Sequence, residues 1–198
     1  MEAYRTALDM GADLVEVDIH RLADGTFVCT HDAPVDGVPV LGDVLDLIAE
    51  NRAGAHVDLK EFGYEAELVA FVSSYDIHPV YYTVGDAGSV RALRDAGGEA
   101  LLTLGPKFRG RPLWDGLRDL IAAGIPFRTI VACDARGVAA QFRLAGPVLR
   151  WWCRRRAMAV LVWTINDDRR LKHFLRARGV TAVVTDRPRR ALDLRDRL

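Results

Sequence analysis

The sequence predicts an α/β fold, a (β/α)8 TIM-type barrel occupying residues 1–198 as one domain. Three observations predict it. Apolar, β-branched runs alternate with helical segments of about ten residues, the order of βαβ units around a parallel sheet. No Gly-rich phosphate loop follows the first strand, as a doubly wound dinucleotide fold would require. Paired acids stand at the end of a strand, where barrels of this type place their active sites.

The elements follow in order. Residues 2–10 have helical character and stop at Gly11. Leu14 to His20 reads as a strand, Ala23 to Thr26 as a turn, and Phe27 to Thr30 as a second, short strand. Val40 to Asn51 is an amphipathic helix, with Leu41, Val44, Leu45 and Ile48 at helical spacing. Strands are predicted at Ala55–Lys60, Pro79–Val84, Ala100–Leu104, Arg128–Cys133, Val160–Thr164 and Thr181–Thr185. Helices are predicted at Tyr64–Tyr75, Asp86–Ala96, Leu113–Ala123, Asp134–Leu144, Pro147–Arg156 and Asp167–Arg178, with a last short one from Arg189. Gly97, Gly124 and Gly179 supply stop signals. The count is seven main strands plus the small one at Phe27, one short of a closed barrel.

Composition narrows the class. Half of the 198 residues are apolar, enough for one sizeable core. The 27 basic residues balance the 27 acidic ones, so no global charge favours nucleic acid. No apolar run reaches the ~20 residues of a membrane span. Cys29, Cys133 and Cys153 form no C-x-x-C pair, which favours reduced structural thiols and a cytoplasmic location.

The chemistry begins at Glu16 and Asp18, in Asp13-Leu-Val-Glu-Val-Asp-Ile-His20. In a strand, side chains at i and i+2 share a face. Two carboxylates therefore project together from a segment that otherwise reads as core. Buried charge is costly unless paired or metal-bound, and hard divalent cations take carboxylate oxygens. The bland alternative is a pair of acids held by Arg or Lys. His20 shares the same face by alternation. The Arg150-Trp-Trp-Cys-Arg-Arg-Arg156 run reads as one helix with Trp inward and Arg solvated, in preference to a lipid or nucleic-acid contact. His78 and His173 read as surface residues.

Four segments together carry a resemblance: Gly11-Ala-Asp-Leu-Val-Glu-Val-Asp18, Ala23-Asp-Gly-Thr-Phe-Val-Cys-Thr-His-Asp32, Val162-Trp-Thr-Ile-Asn166 and Val183-Val-Thr-Asp-Arg-Pro188. In this order and spacing the chain resembles the glycerophosphodiester phosphodiesterase family, of the phospholipase-C-like barrel superfamily. Val38-Pro-Val-Leu41 and the helix after it add to the likeness. The resemblance implies Glu16 and Asp18 as ligands of a divalent cation, Mg²⁺ or Ca²⁺. The family's third ligand is a Glu two residues before a Lys. Here Asp58, in Val57-Asp-Leu-Lys60, stands in that place with a side chain one methylene shorter. Glu61 is the fallback, on the other face of the strand.

The resemblance also assigns His31 to proton transfer, for which an imidazole is suited near neutrality. It assigns Lys60 to the phosphate and Trp163 to the alcohol or glycerol at the rim of the site. The reaction implied is metal-dependent hydrolysis of a small-molecule glycerophosphodiester to sn-glycerol 3-phosphate and an alcohol, or a lysophospholipase-D-like variant of it.

Two family features are missing from these residues. His-Arg-Gly, which supplies the partner of His31, does not occur, and neither does Glu-Asn-Thr. The expectation is an N-terminally truncated barrel whose first strand lies upstream of Met1. The strands at Leu14–His20 and Thr181–Thr185 would then have open edges, and the 198 residues alone would be poorly soluble or inactive. The alternative function is a non-catalytic barrel that binds phosphodiesters or a partner.

Overall fold

A computed structural model describes residues 1–105 and 127–198 of the chain. The predicted helix at Leu113–Ala123 lies outside the described residues. Helix α1 (Glu2–Asp9) leads into β1 (Leu14–Arg21) and β2 (Phe27–Cys29). Then come α2 (Leu41–Glu50), β3 (Gly54–Leu59), α3 (Glu65–Val72), β4 (Val80–Val84), α4 (Ala87–Asp95) and β5 (Ala100–Leu104). After the undescribed stretch the order is α5 (Phe127–Ala132), β6 (Gly137–Gln141), α6 (Pro147–Arg154), β7 (Ala159–Trp163), α7 (Asp168–Arg176), β8 (Ala182–Val183) and α8 (Pro188–Arg195).

The strands form one sheet in the order β2-β1-β3-β4-β5-β6-β7-β8, parallel except for β2. Sequential parallel neighbours joined by helices are the arrangement of a (β/α) barrel. Among the described residues β1 and β8 do not pair with each other. The predicted open edge of β1 is partly covered: Ile19, His20 and Arg21 pair with Cys29, Val28 and Phe27 of β2. The Phe27 ring packs against Tyr64 and Phe71, which ties this hairpin to α3.

Alternation divides the sheet into two faces. On one, Val15, Val17, Ile19, Ala55 and Val57 pack with Leu41, Leu45, Ile48 and Leu68 of the helices. Laterally paired residues share a face, and the registers Glu16↔His56↔Tyr81 and Asp18↔Asp58↔Thr83 put the polar residues on the other, concave one. Further round, that concavity is filled by Leu101, Ala139 and Leu161, with Tyr81 and Trp163 against them. An apolar plug on one side and a polar patch on the other is how the curled sheet offers a site.

Two elements differ from expectation. Arg128–Cys133 is not a strand: residues 127–132 form α5. Asp134–Leu144 is not a helix: residues 137–141 form β6. The β-branched Thr129, Ile130 and Val131 argue for a strand, but propensity is a weak prior against tertiary context. Ile130 and Cys133, three residues apart, are the buried pair, as a helix facing the sheet requires. Asp134, at φ 54°, turns the chain out of that helix. Small residues then decide the strand. Val138, Ala139 and Ala140 fit between β5 and β7, and Gly137 leads them in.

A Cβ on Gly137 would collide with the Ala159 backbone, which no side-chain rotation relieves. Gly137→Ala is expected to cost about 3 kcal/mol and to lower the melting temperature by about 6–12 °C. Calorimetry checks this, and an unchanged midpoint would contradict the β6–β7 register.

The Arg150–Arg156 segment also departs from expectation. Arg150 is buried and Trp151 is 51% exposed. The helix turns Leu149, Arg150 and Cys153 inward, and the Arg150 guanidinium lies 5.9 Å from the Phe174 ring centre. Arg155 and Arg156 stack over Trp151 and Trp152 on the outside. All three cysteines are buried and free, as the spacing predicts. No helix among the described residues is long and apolar enough to cross a membrane.

Candidate active site

The site is built at the C-terminal ends of β1 and β3. Parallel pairing sets Asp18 beside Asp58 and Glu16 beside His56. Carboxylate oxygens of Glu16, Asp18 and Asp58 lie within 4.8 Å of one another. Lys60, just past β3, reaches back with Nζ 2.7 Å from Asp18 Oδ1 and 2.5 Å from Asp58 Oδ2. His31, after β2, places Nδ1 2.9 Å from Asp18 Oδ2. The backbone holds this arrangement, with Thr30 donating its N–H to the Asp18 carbonyl and Lys60 donating to the Ile19 carbonyl.

Three carboxylates thus face one ammonium. Burial, with the neighbouring Asp18 and Asp58 charges, pushes the Glu16 carboxyl up to about 7, while Lys60 opposes the rise. Burial of Lys60 works against its charge, yet Asp58 and Asp18 outweigh it and its pKa lies above the ordinary lysine value. One ammonium therefore leaves the group short of positive charge. An all-oxygen donor set of this kind fits a hard divalent cation, and the three residues could hold one.

The predicted residues fare differently. Glu16, Asp18, Asp58, Lys60 and His31 come together. Glu61 does not join them: it accepts from His20 Nδ1 at 3.0 Å, outside the carboxylate group, so the shorter Asp58 is the acid the fold delivers. That pairing also engages His20. Trp163 stands at the C-terminal end of β7, with its ring edge over Gly105 and its side chain packed against the apolar plug. His31 is 77% exposed at its side chain, open to solvent and to a ligand. Exposed too are His78 and His173.

Sequence reasoning passed over Thr83 and left His56 without a role. Thr83 donates its hydroxyl to Asp58 Oδ1 at 2.6 Å, and His56 Nε2 lies 2.8 Å from the same hydroxyl. The signal was the polar i, i+2 alternation in β3, His56 and Asp58, the same pattern as Glu16 and Asp18.

At the mouth, loops after β7 and β8 are laced together. Asn166 donates to Asp186 at 2.6 Å and accepts from the Thr185 hydroxyl and the Asp186 N–H. Arg190 pairs with Asp168, tying α8 to α7. The third and fourth sequence motifs thus meet in space.

Residues 1–63 match the model of the Glycerophosphoryl diester phosphodiesterase family. A search of curated proteins finds no match. Several solved structures share the fold. A protein of Agrobacterium tumefaciens assigned as a glycerophosphoryl diester phosphodiesterase superposes with a TM-score of 0.79 at 17% identity, over 98% of this chain and 90% of that one. An Oleispira antarctica phosphodiesterase, solved with the product sn-glycerol-3-phosphate, gives 0.72 at 18% identity, over 98% of this chain and 89% of its own. A glycerophosphodiester phosphodiesterase of Thermotoga maritima gives 0.72 at 16% identity, over 98% and 90%. The resemblance drawn from the four motifs is borne out by the family model over the first two, and the shared fold extends over nearly the whole chain.

Proposed function

We propose that the chain is a metal-dependent glycerophosphodiester phosphodiesterase, acting as a single domain and releasing sn-glycerol 3-phosphate and an alcohol. The observation that carries the reading is the group of Glu16, Asp18 and Asp58 with Lys60 and His31 on its rim. The family match over residues 1–63 and the product-bound Oleispira relative support it. Glu16, Asp18 and Asp58 would hold Mg²⁺ or Ca²⁺, which when bound supplies charge stabilisation at the phosphoryl oxygens. The free buried thiols fit a reducing compartment such as the cytoplasm.

The side chains divide the work. Lys60 bridges the Asp18 and Asp58 carboxylates and offers its third N–H to a phosphate. His31, donating Nδ1–H to Asp18, is fixed in the tautomer that leaves Nε2 free. Nε2 is the atom that takes or gives the proton between nucleophile and departing alcohol. Trp163 supplies an aromatic wall for the glycerol or alcohol carbons.

A second reading, phosphodiester binding without turnover, is favoured by one observation. Of the five histidines, His31 is the only one both exposed and in contact with the carboxylate group. An acid–base pair of two histidines is not assembled among the described residues. The experiment is release of sn-glycerol 3-phosphate from glycerophosphocholine. Release that stops with a chelator and returns with Mg²⁺ or Ca²⁺ supports the enzyme. Release indifferent to chelator refutes the metal mechanism, and calorimetric binding of the diester with no release supports the second reading.

A further inference from the structure

Asp58 uses both of its oxygens. Oδ2 lies against Lys60, and Oδ1 accepts the Thr83 hydroxyl at 2.6 Å. Thr83 is directly opposite Asp58 on β4 and is 1% exposed. A hydroxyl has one proton to give, and an ionised carboxylate has none. The Thr83 proton therefore goes to Asp58. The 2.8 Å contact between Thr83 and His56 must then be donated by His56 Nε2–H. His56 is 3% exposed and stands on β3 between Glu16 and Tyr81. Its Nδ1, buried and without a hydrogen-bond partner, lies 4.0 Å from Glu16 Oε1. The result is a chain of fixed direction across two strands, from His56 through Thr83 to Asp58.

Such a chain has a cost that needs a reason. Valine is nearly isosteric with threonine and would bury here without a polar group to satisfy. The plug beside it is apolar. The hydroxyl serves the two polar side chains beside it, accepting from His56 and donating to Asp58. Asp58 is also the acid with the short arm, so its carboxylate depends on orientation rather than reach.

We propose that Thr83, aimed by His56, is a positioning residue that sets the Asp58 carboxylate for a divalent cation. The inference rests on the metal reading above. Partners that orient a metal-binding carboxylate are worth about 10–100-fold in metal affinity.

The test is calorimetric titration of Mg²⁺ and Ca²⁺ into the full metal-free chain. Thr83→Val is expected to weaken binding by about 10–100-fold, and Thr83→Ser to stay within about threefold of the parent protein. In an Asp58→Ala background Thr83→Val should add no further loss, a result that general destabilisation of β4 would not produce. Thr83→Ala is measured alongside, with melting curves of each metal-free variant, so that one misfolded variant does not decide the matter. Unchanged affinity in a folded Thr83→Val or Thr83→Ala, with binding lost in Asp18→Asn, would overturn the positioning role alone. Unchanged affinity in Asp18→Asn would overturn the metal reading and this inference with it.

Discussion

Asp18→Asn abolishes cation binding and lowers release of sn-glycerol 3-phosphate by about 10³-fold or more, on the scale of removing a group that acts as part of a unit. Three contacts converge on this one carboxylate. Oδ1 meets Lys60 at 2.7 Å, Oδ2 meets His31 at 2.9 Å, and the group lies within ligand distance of Glu16 and Asp58. Asn keeps the shape but halves the acceptors and removes the charge. The one remaining oxygen can accept from Lys60 or from His31 but not from both, so either the Lys60 ammonium loses its second partner or His31 loses the acceptor that fixes its tautomer. The measurements are calorimetric Mg²⁺ or Ca²⁺ titration and steady-state turnover of glycerophosphocholine, on protein whose melting curve shows it folded. Wild-type cation affinity in the variant would sink the assignment of Asp18 as a ligand.

His31→Gln is expected to lower kcat by about 10²–10⁴-fold at saturating cation, with KM much less affected, the range for losing a positioned proton-transfer group. Its exposed side chain contributes little to packing, so the melting temperature should hardly move. Glutamine can still donate to Asp18, which separates loss of the imidazole from loss of the hydrogen bond. A kcat within about threefold of the parent protein would remove His31 from the chemistry. The two variants also separate two roles of one contact: Asp18→Asn acts on cation binding, His31→Gln on turnover.

Much of the site was legible because a strand has a period of two. Glu16 and Asp18 share a face whatever the rest of the fold does, and apolar Val15, Val17 and Ile19 mark the opposite face as core. Asp58 came from the family resemblance, with alternation setting Glu61 on the other face of the strand, and in the structure Glu61 pairs with His20. Less legible was the stretch from Phe127 to Gln141. There β-branched residues sit in a helix and alanines in a strand, because a central parallel strand is chosen by what fits between its neighbours. Arg150 misled for a similar reason: a long aliphatic stem can be buried against Phe174 where composition suggests a solvated cation.

By itself, then, the sequence determined the alternation of strands and helices, the shared face of Glu16 and Asp18, and the motif order that resembles one family. These depend on periodicity and near neighbours, which a linear pattern records. The tertiary structure alone decided that Lys60 bridges Asp18 and Asp58, that His31 meets Asp18 across a hairpin, and that Thr83 and His56 stand behind Asp58. These depend on the register between strands. Register is set by packing of the whole sheet, where one residue of slip would send every one of these side chains to the other face.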